Sequence, residues 1–301
     1  MSGSGRWETT AELVRALVAE AHPDLAGAPV RRVESGWANQ VWRLGEDLAV
    51  RLPVLETSPA LPAKEFRWLP GLAPLLPLAV PTPLRFTGPS ARFPRPWSVV
   101  TWVPGTPADT GELTAPTESA TALAAFLRAL NRPAPPDAPD NPSRRAPLSA
   151  RSGDFAAYLE RVGDEVDPVA LHRIWADAVE APEWRGPEVW LHGDLHPANV
   201  VTDGGLLTGV VDFGELCAGD PAVDLSAAWK LLPQQVIPGF LALCPHGDEA
   251  TVRRARGWAL LSGLLMVSVG RAWTRGEPGG QPTWGAAGRR TLRRLRGLPD
   301  R

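Results

Sequence analysis

The chain has 301 residues, of which 44% are hydrophobic and 21% are charged, and its formal net charge is −2. This composition is typical of a soluble globular protein long enough for two lobes, and the near-neutral charge gives no reason to expect binding to nucleic acid or to a membrane. Two cysteines are too few for a disulfide framework, and the polar N-terminus lacks the apolar run of a signal peptide. We therefore expect a cytoplasmic protein.

The first hundred residues combine strand and helix patterns. Apolar residues at helical spacing predict a helix over residues 10–21, which Pro23 ends. A second helix is predicted over residues 64–76. Short apolar runs bounded by turn residues predict strands over residues 30–34, 40–44, 48–52, 84–87 and 97–103. This order predicts an α+β lobe with a small antiparallel sheet over residues 1–103.

Helical patterns dominate the rest of the chain. The run Pro104-Gly105-Thr106-Pro107 interrupts both periodicities and predicts a hinge near residues 101–105. Beyond it, helices are predicted over residues 116–130, 154–162, 168–180, 222–232, 247–269 and 284–296. Residues 132–147 are rich in proline and aspartate, so we expect them to be exposed. The sequence thus predicts a mainly helical second lobe over residues 104–301.

Two short motifs carry the chemistry. Residues 192–199 read HGDLHPAN, and residues 211–214 read VDFG. An Asp-Gly-Gly turn at residues 203–205 lies between two apolar runs and predicts a hairpin, which would return Asp212 to the side of Asp194 and Asn199. Kinase-type phosphoryl transfer uses an Asp to orient the attacking hydroxyl and an Asn and a second Asp to hold Mg²⁺. A zinc site on His192 and His196 is less favoured, because no cysteine lies nearby.

The motifs resemble those of the aminoglycoside phosphotransferase family, the small-molecule branch of the protein-kinase-like fold. The resemblance is carried by residues 189–200, residues 210–215 and residues 219–225, in the family's order and spacing. It implies a two-lobed fold in which Asp194 is the catalytic base, and Asn199 and Asp212 bind Mg²⁺. It also implies that His192 and Asp224 brace the catalytic loop.

The resemblance implies a nucleotide site as well. Arg51 stands where most kinases have a phosphate-binding lysine, and Glu65 would be its ion-pair partner. Val100 would line the pocket for the base. The other implied contacts are a phosphate-covering turn at Ser35, Gly36 and Asn39 and the backbone of Thr101, Trp102 and Val103.

The family implies a Mg²⁺-dependent kinase that uses ATP or GTP to phosphorylate a hydroxyl of a small molecule. An aminoglycoside or another antibiotic is the leading acceptor; a macrolide, a peptide antibiotic, choline, homoserine or an aminosugar is an alternative. A cationic aminosugar would need an acidic wall, for which the second lobe offers Asp154, Glu160, Asp164, Glu165, Asp167, Glu215 and Glu277. A non-catalytic pseudokinase and a metal-dependent hydrolase remain open. We expect a monomer.

Overall fold

The computed structural model describes residues 9–33, 39–53, 61–163 and 165–300. The chain divides into two compact units. The first comprises Met1–Leu75 and Ala79–Pro104, and the second comprises Leu76–Leu78 and Gly105–Arg301. Each unit combines helices with antiparallel strands, which confirms the predicted α+β class.

The first unit is built on a five-stranded antiparallel sheet with the order β1-β2-β3-β5-β4. Its elements in chain order are α1 (Ala11–Ala21), β1 (Val30–Arg32), β2 (Asn39–Leu44), β3 (Leu48–Pro53), α2 (Leu61–Leu72), β4 (Pro83–Thr87) and β5 (Trp97–Thr101). The side chain of Thr10 caps α1 by accepting the Leu13 N–H at 3.2 Å. Helix α2 ends four residues before the predicted position, although it continues through Pro70; a 3-10 turn at Ala73–Leu75, which contains Pro74, follows it.

The two faces of this sheet carry different residues. Trp42, Val50 and Val99 lie on one face and pack with the buried stripe of α1 into an apolar core. Side chains alternate along a strand, and residues directly opposite each other in an antiparallel pair share a face. Arg51 and Val100 therefore lie on the other face. One face of the sheet thus forms the core with α1, and the opposite face carries Arg51 and Val100, which the resemblance assigns to the nucleotide.

The second unit is mainly helical. Its helices are α3 (Pro116–Leu130), α4 (Pro142–Arg145), α5 (Ser152–Val162), α6 (Pro168–Glu180), α7 (Ala222–Leu225), α8 (Ala227–Leu231), α9 (Ile237–Leu243), α10 (Glu249–Thr274) and α11 (Trp284–Leu295). Helix α10 packs against α5, α6, α7 and α11, so it forms the centre of this unit. No helix in the described part of the chain is long and apolar enough to cross a membrane.

Short strands carry the two motifs. They are β6 (Thr106–Pro107), β7 (Val189–Leu191), β8 (Val200–Asp203), β9 (Leu206–Val210) and β10 (Cys217–Gly219). Strands β8 and β9 form the predicted hairpin, which β6 extends, while β7 pairs with β10. Strands β6, β7 and β10 were not predicted, since runs of two or three residues show no periodicity. The helix predicted over residues 222–232 is two helices, α7 and α8.

Candidate active site

A buried ion pair lies on the first unit's sheet. Nη1 of Arg51 on β3 lies 2.5 Å from Oε2 of Glu65 on α2, and both residues are buried. Oε1 of Glu65 has no hydrogen-bond partner among the described residues. Glu65 thus fixes the guanidinium of Arg51 in one orientation, and a guanidinium keeps its charge at any working pH.

The backbone at the end of β5 and just after it was predicted to contact the nucleotide base. The N–H groups of Thr101 and Trp102 donate to Thr82 O at 2.9 Å and to Asp47 O at 2.7 Å. No partner for the Val103 N–H is found within the described residues. The backbone of Thr101, Trp102 and Val103 was predicted to bind the base, and of their N–H groups that of Val103 is the one without a partner among the described residues. Val100 is buried and Asn39 begins β2, whereas Ser35 and Gly36 lie outside the described residues.

Asp224 braces the loop that follows β7. Its two carboxylate oxygens accept the backbone N–H groups of His192 at 2.7 Å and Gly193 at 2.9 Å, and its side chain is fully buried. Burial raises the pKa of Asp224, while His192 and these two hydrogen bonds oppose the rise. The carboxylate on α7 therefore fixes the backbone just before Asp194.

His192 is a neutral, packed residue. Its Nε2 lies 3.0 Å from the carbonyl oxygen of Val211, which can only accept, so Nε2 carries the hydrogen. Nδ1 then accepts the Asp194 N–H at 3.2 Å. Burial lowers the pKa of His192, and its ring packs against Phe213 with a centroid distance of 4.6 Å. His192 thus links the loop at Asp194 to the end of the hairpin, with both ring nitrogens engaged in hydrogen bonds.

Donors surround the carboxylate of Asp194. Oδ1 accepts from Nη2 of Arg144 at 3.3 Å, and Oδ2 lies 3.2 Å from Nδ2 of Asn199 and 3.4 Å from Nε2 of His196. Burial alone would raise the pKa of Asp194, but His196, Arg144 and Lys230 outweigh it and hold the pKa below its usual value. Its side chain remains 36% exposed, so this ionised carboxylate can meet a ligand.

The β8–β9 hairpin brings Asn199 and Asp212, the two predicted metal ligands, to the same end of the hairpin. The Val211 N–H donates to Asn199 O at 2.9 Å, immediately before Asp212. Asp212 has a left-handed backbone with φ of 64° and accepts the Gly214 N–H at 3.4 Å. The amide nitrogen of Asn199 donates to Asp194, which leaves its Oδ1 as an acceptor. This donor set fits Mg²⁺, which binds few protein oxygens and keeps waters and substrate phosphates.

The described residues contain no group of three or more His, Cys, Asp or Glu side chains that could hold a metal alone. Zinc on His192 and His196 is therefore unsupported. His196 Nδ1 accepts the Ala198 N–H at 3.3 Å, and its ring packs edge-on against Trp284. Both histidines act through hydrogen bonds and packing.

Sequence reasoning missed Arg144 and Lys230, which line a cavity with Asp194. Arg144 comes from the segment predicted to be exposed. Lys230 is one of two lysines in the chain and stands in the apolar run Ala227-Ala228-Trp229-Lys230-Leu231-Leu232. A lone charge in such a helix was the one available signal for it, since lysine is rarely buried without a partner.

A family model described as the phosphotransferase enzyme family matches residues 29–258. The chain belongs to this phosphotransferase family. The match covers every residue that the motif resemblance assigned to the nucleotide, to Mg²⁺ or to catalysis, and the predicted family is thereby confirmed.

Solved structures share the fold of this phosphotransferase-family protein. The GDP complex of aminoglycoside 2'-phosphotransferase-IIIa has a TM-score of 0.67 at 18% identity, covering 96% of this chain and 99% of that one. The macrolide 2'-phosphotransferase MphH from Brachybacterium faecium has a TM-score of 0.61 at 23% identity, covering 96% and 100%. ADP-bound APH(2'')-Ib has a TM-score of 0.57 at 15% identity, covering 95% and 98%. No curated protein sequence matches the chain.

Proposed function

We propose that this protein transfers the γ-phosphate of ATP or GTP to a hydroxyl of a small molecule, with Mg²⁺ as cofactor. The observation that carries the proposal is the state of Asp194. Its carboxylate is ionised, oriented by Arg144 and Asn199, and faces a cavity. Residues 1–103 bind the nucleotide and residues 104–301 bind the acceptor. The protein acts as a cytoplasmic monomer, without nucleic acid or membrane.

In the proposed reaction, a bond forms between the acceptor's hydroxyl oxygen and the γ-phosphorus. The bond from that phosphorus to the β–γ bridging oxygen breaks, which releases the nucleoside diphosphate. Asp194 accepts a hydrogen bond from the hydroxyl and takes up its proton, which then passes to solvent. Because the pKa of Asp194 is held below its usual value, the carboxylate is ionised and can both aim the hydroxyl and receive its proton.

Asn199 and Asp212 would hold Mg²⁺, and Arg51, oriented by Glu65, would bind the phosphates. Bound Mg²⁺ neutralises the phosphate oxygens and so lowers the charge barrier to attack. A guanidinium supplies two parallel donors to a phosphate, so arginine can replace the lysine usual at this position. The Val103 N–H is the donor that we assign to the nucleotide base.

Antibiotics are the first acceptors to test. The relatives with this fold include structures of APH(2'')-IIIa with GDP and kanamycin and of APH(2'')-IIa with gentamicin. Their low identities support the reaction type more than the acceptor, so macrolides, peptide antibiotics and hydroxylated metabolites belong in the same panel.

The test is mass spectrometry of an acceptor panel incubated with the protein, Mg²⁺ and ATP or GTP. Asp194→Asn removes the acceptor carboxylate, and Asp203→Asn is a matched control at an exposed hairpin position. We expect one phosphate on one class of compound with the wild type and the control. The rate should fall about 100-fold or more with Asp194→Asn.

The other outcomes identify the alternatives. Nucleotide binding without turnover on any acceptor would identify a pseudokinase. Nucleotide hydrolysis at the full rate without an acceptor, lost in Asp194→Asn, would identify a hydrolase. Equal transfer by Asp194→Asn and wild type would contradict the role of Asp194.

A further inference from the structure

A cavity of about 50 Å³ lies beside Asp194 within the second unit. Its charged lining residues are Asp194, Arg144, Arg151 and Lys230. Arg151 pairs with Asp154 at 2.8 Å and Arg144 with Asp194 at 3.3 Å, so the remaining cation of the lining is Lys230. Tyr158 and Trp258 contribute aromatic surface. The uncompensated positive charge beside the proposed acceptor position is therefore that of Lys230.

Lys230 is the least compensated of these cations. It is 7% exposed, and its ammonium has no hydrogen-bond or ion-pair partner in the described part of the chain. Burial lowers the pKa of Lys230 to about 8, while Asp194 and Asp224 favour its charged form. Burying an unpaired ammonium is unfavourable. An anionic ligand that paired with Lys230 would offset this cost.

Arg144 also has unused donor capacity. It gives one hydrogen bond to Asp194, but its buried Nε donates to no acceptor among the described residues. Glu215 lies 4.0 Å from that Nε and instead accepts from Asn141 at 2.6 Å. A ligand with anionic oxygens would satisfy the donors of Arg144 and Lys230 together.

The acidic wall that a polycation would need is occupied by arginines. Asp154 pairs with Arg151 at 2.8 Å, and the remaining pairs are Glu165 with Arg271 and Arg289, Asp167 with Arg296, and Glu277 with Arg275. Of the other candidates, Glu160 is exposed and Asp164 lies outside the described residues. Neither Asp154 nor Glu215 lines the cavity; Asp154 already pairs with Arg151, and Glu215 accepts from Asn141.

We infer that the acceptor carries an oxyanion group, a carboxylate or a phosphate, which Lys230 and Arg144 bind while its hydroxyl lies at Asp194. This inference rests on the proposed function for the position of the hydroxyl. Charge complementarity selects such an acceptor over a polyamine, because like charges in a partly desolvated site repel. Lys230 is then a specificity residue of the acceptor site.

The competing role for Lys230 is contact with the transferring phosphate of the nucleotide. That role would lower kcat equally for acceptors of every charge. The acceptor role instead weakens binding of anionic acceptors and leaves nucleotide affinity unchanged. A binding experiment on protein already saturated with Mg²⁺ and a non-hydrolysable ATP analogue, whose γ-phosphate fills the position of the transferring group, separates the two.

The experiment measures the melting temperature of the full chain, saturated with Mg²⁺ and a non-hydrolysable ATP analogue, against four probes at matched ionic strength. The probes are sulfate, gluconate, its neutral counterpart sorbitol, and cationic glucosamine. Ligands that bind the folded state raise the melting temperature. We expect sulfate and gluconate to bind and sorbitol and glucosamine to bind at least about tenfold more weakly, the loss of one charge-assisted hydrogen bond.

Three variants sharpen the test. Lys230→Met and Arg144→Gln should each weaken gluconate and sulfate binding by about tenfold or more, with unchanged affinity for the ATP analogue. Arg173→Met is the control, because Arg173 is exposed on α6 and does not line this cavity. Stronger binding of glucosamine than of gluconate would overturn the inference, as would unchanged gluconate binding by Lys230→Met.

The same design distinguishes this inference from the proposed function. Lys230-dependent binding of gluconate without phosphate transfer to any acceptor would support the anion site and contradict phosphotransfer. Phosphate transfer to a neutral or cationic antibiotic at a rate unaffected by Lys230→Met would support phosphotransfer and overturn the anion site.

Discussion

Arg144 donates a hydrogen bond to Asp194 at 3.3 Å, although 50 residues separate them along the chain. Arg144 lies on the short helix α4, which the side chain of Asn141 caps by accepting the Ser143 N–H at 3.1 Å. Asn141 also donates to Glu215, just after the Asp212 turn. The segment before α5 therefore connects the loop at Asp194 with the end of the hairpin, and it orients the carboxylate before any ligand binds.

Gly193→Ala should lower both stability and activity. Gly193 has φ of 82°, and a Cβ there would lie 2.6 Å from the carbonyl oxygen of Glu215. Gly204→Ala is a matched control, since Gly204 has φ of 57° with no atom within 4 Å of the added Cβ. We expect each to lose about 1–2 kcal/mol for the left-handed backbone. Chemical denaturation should show a further loss for Gly193→Ala alone, and equal losses would contradict the close approach.

Asp224→Ala should destabilise the protein through the loop before Asp194. It leaves the buried N–H groups of His192 and Gly193 without their acceptors. Each unsatisfied buried group costs about 1–3 kcal/mol, so the free energy of unfolding should fall by about 2–6 kcal/mol. Asp203→Ala, at an exposed position, should change it by less than about 0.5 kcal/mol. Comparable effects of the two substitutions would argue against the bracing role.

Single and double variants of the Arg51–Glu65 pair should show that its effect on stability is distinct from its effect on nucleotide binding. Arg51→Met alone leaves the Glu65 carboxylate buried and unpaired, which costs about 3–5 kcal/mol. The double variant Arg51→Met/Glu65→Leu removes both charges and should recover most of that loss. It should still bind ADP and Mg²⁺ more weakly than the wild type by calorimetry. Wild-type affinity in the stable double variant would exclude Arg51 from the nucleotide site.

Lys230→Met should stabilise the protein at neutral pH while weakening anion binding. The pKa of Lys230 falls from 10.5 to about 8 on folding. At about 1.4 kcal/mol per pKa unit, its burial costs roughly 3 kcal/mol at pH values where both states are protonated. A higher melting temperature in Lys230→Met is the expected result. A lower one would indicate that Lys230 has a structural partner.

The stability difference between wild type and Lys230→Met should depend on pH. Because the pKa is lower in the folded state, the unfolded chain binds more protons between the two pKa values, and wild-type stability rises with pH there. The advantage of Lys230→Met should be full below pH 8 and decline through the window from about 8 to 10.5. Anion binding should weaken over the same rise from about 8, as the ammonium facing Asp194, Asp224 and Arg144 loses its proton. Denaturation curves across this pH window test whether the stability difference and the anion binding both decline as the pH rises.

The sequence by itself determined the features that depend on neighbours along the chain. The HGDLHPAN and VDFG motifs and the Asp-Gly-Gly turn between them predicted the hairpin that carries Asn199 and Asp212 to one end. Helical periodicity predicted α1, α3 and α6 with nearly the observed bounds. These predictions succeeded because turn chemistry and hydrophobic period are local properties.

Only the tertiary structure decided what surrounds Asp194. Proline and aspartate predicted an exposed segment over residues 132–147, yet it supplies Arg144. The acidic residues that could have received a cationic acceptor are mostly paired with arginines from other elements. In the sequence Lys230 is a single charge in an apolar helix. In the folded protein it is buried and lines the cavity beside Asp194. Charge pairing and burial depend on contacts between distant segments, which periodicity and motif spacing do not specify.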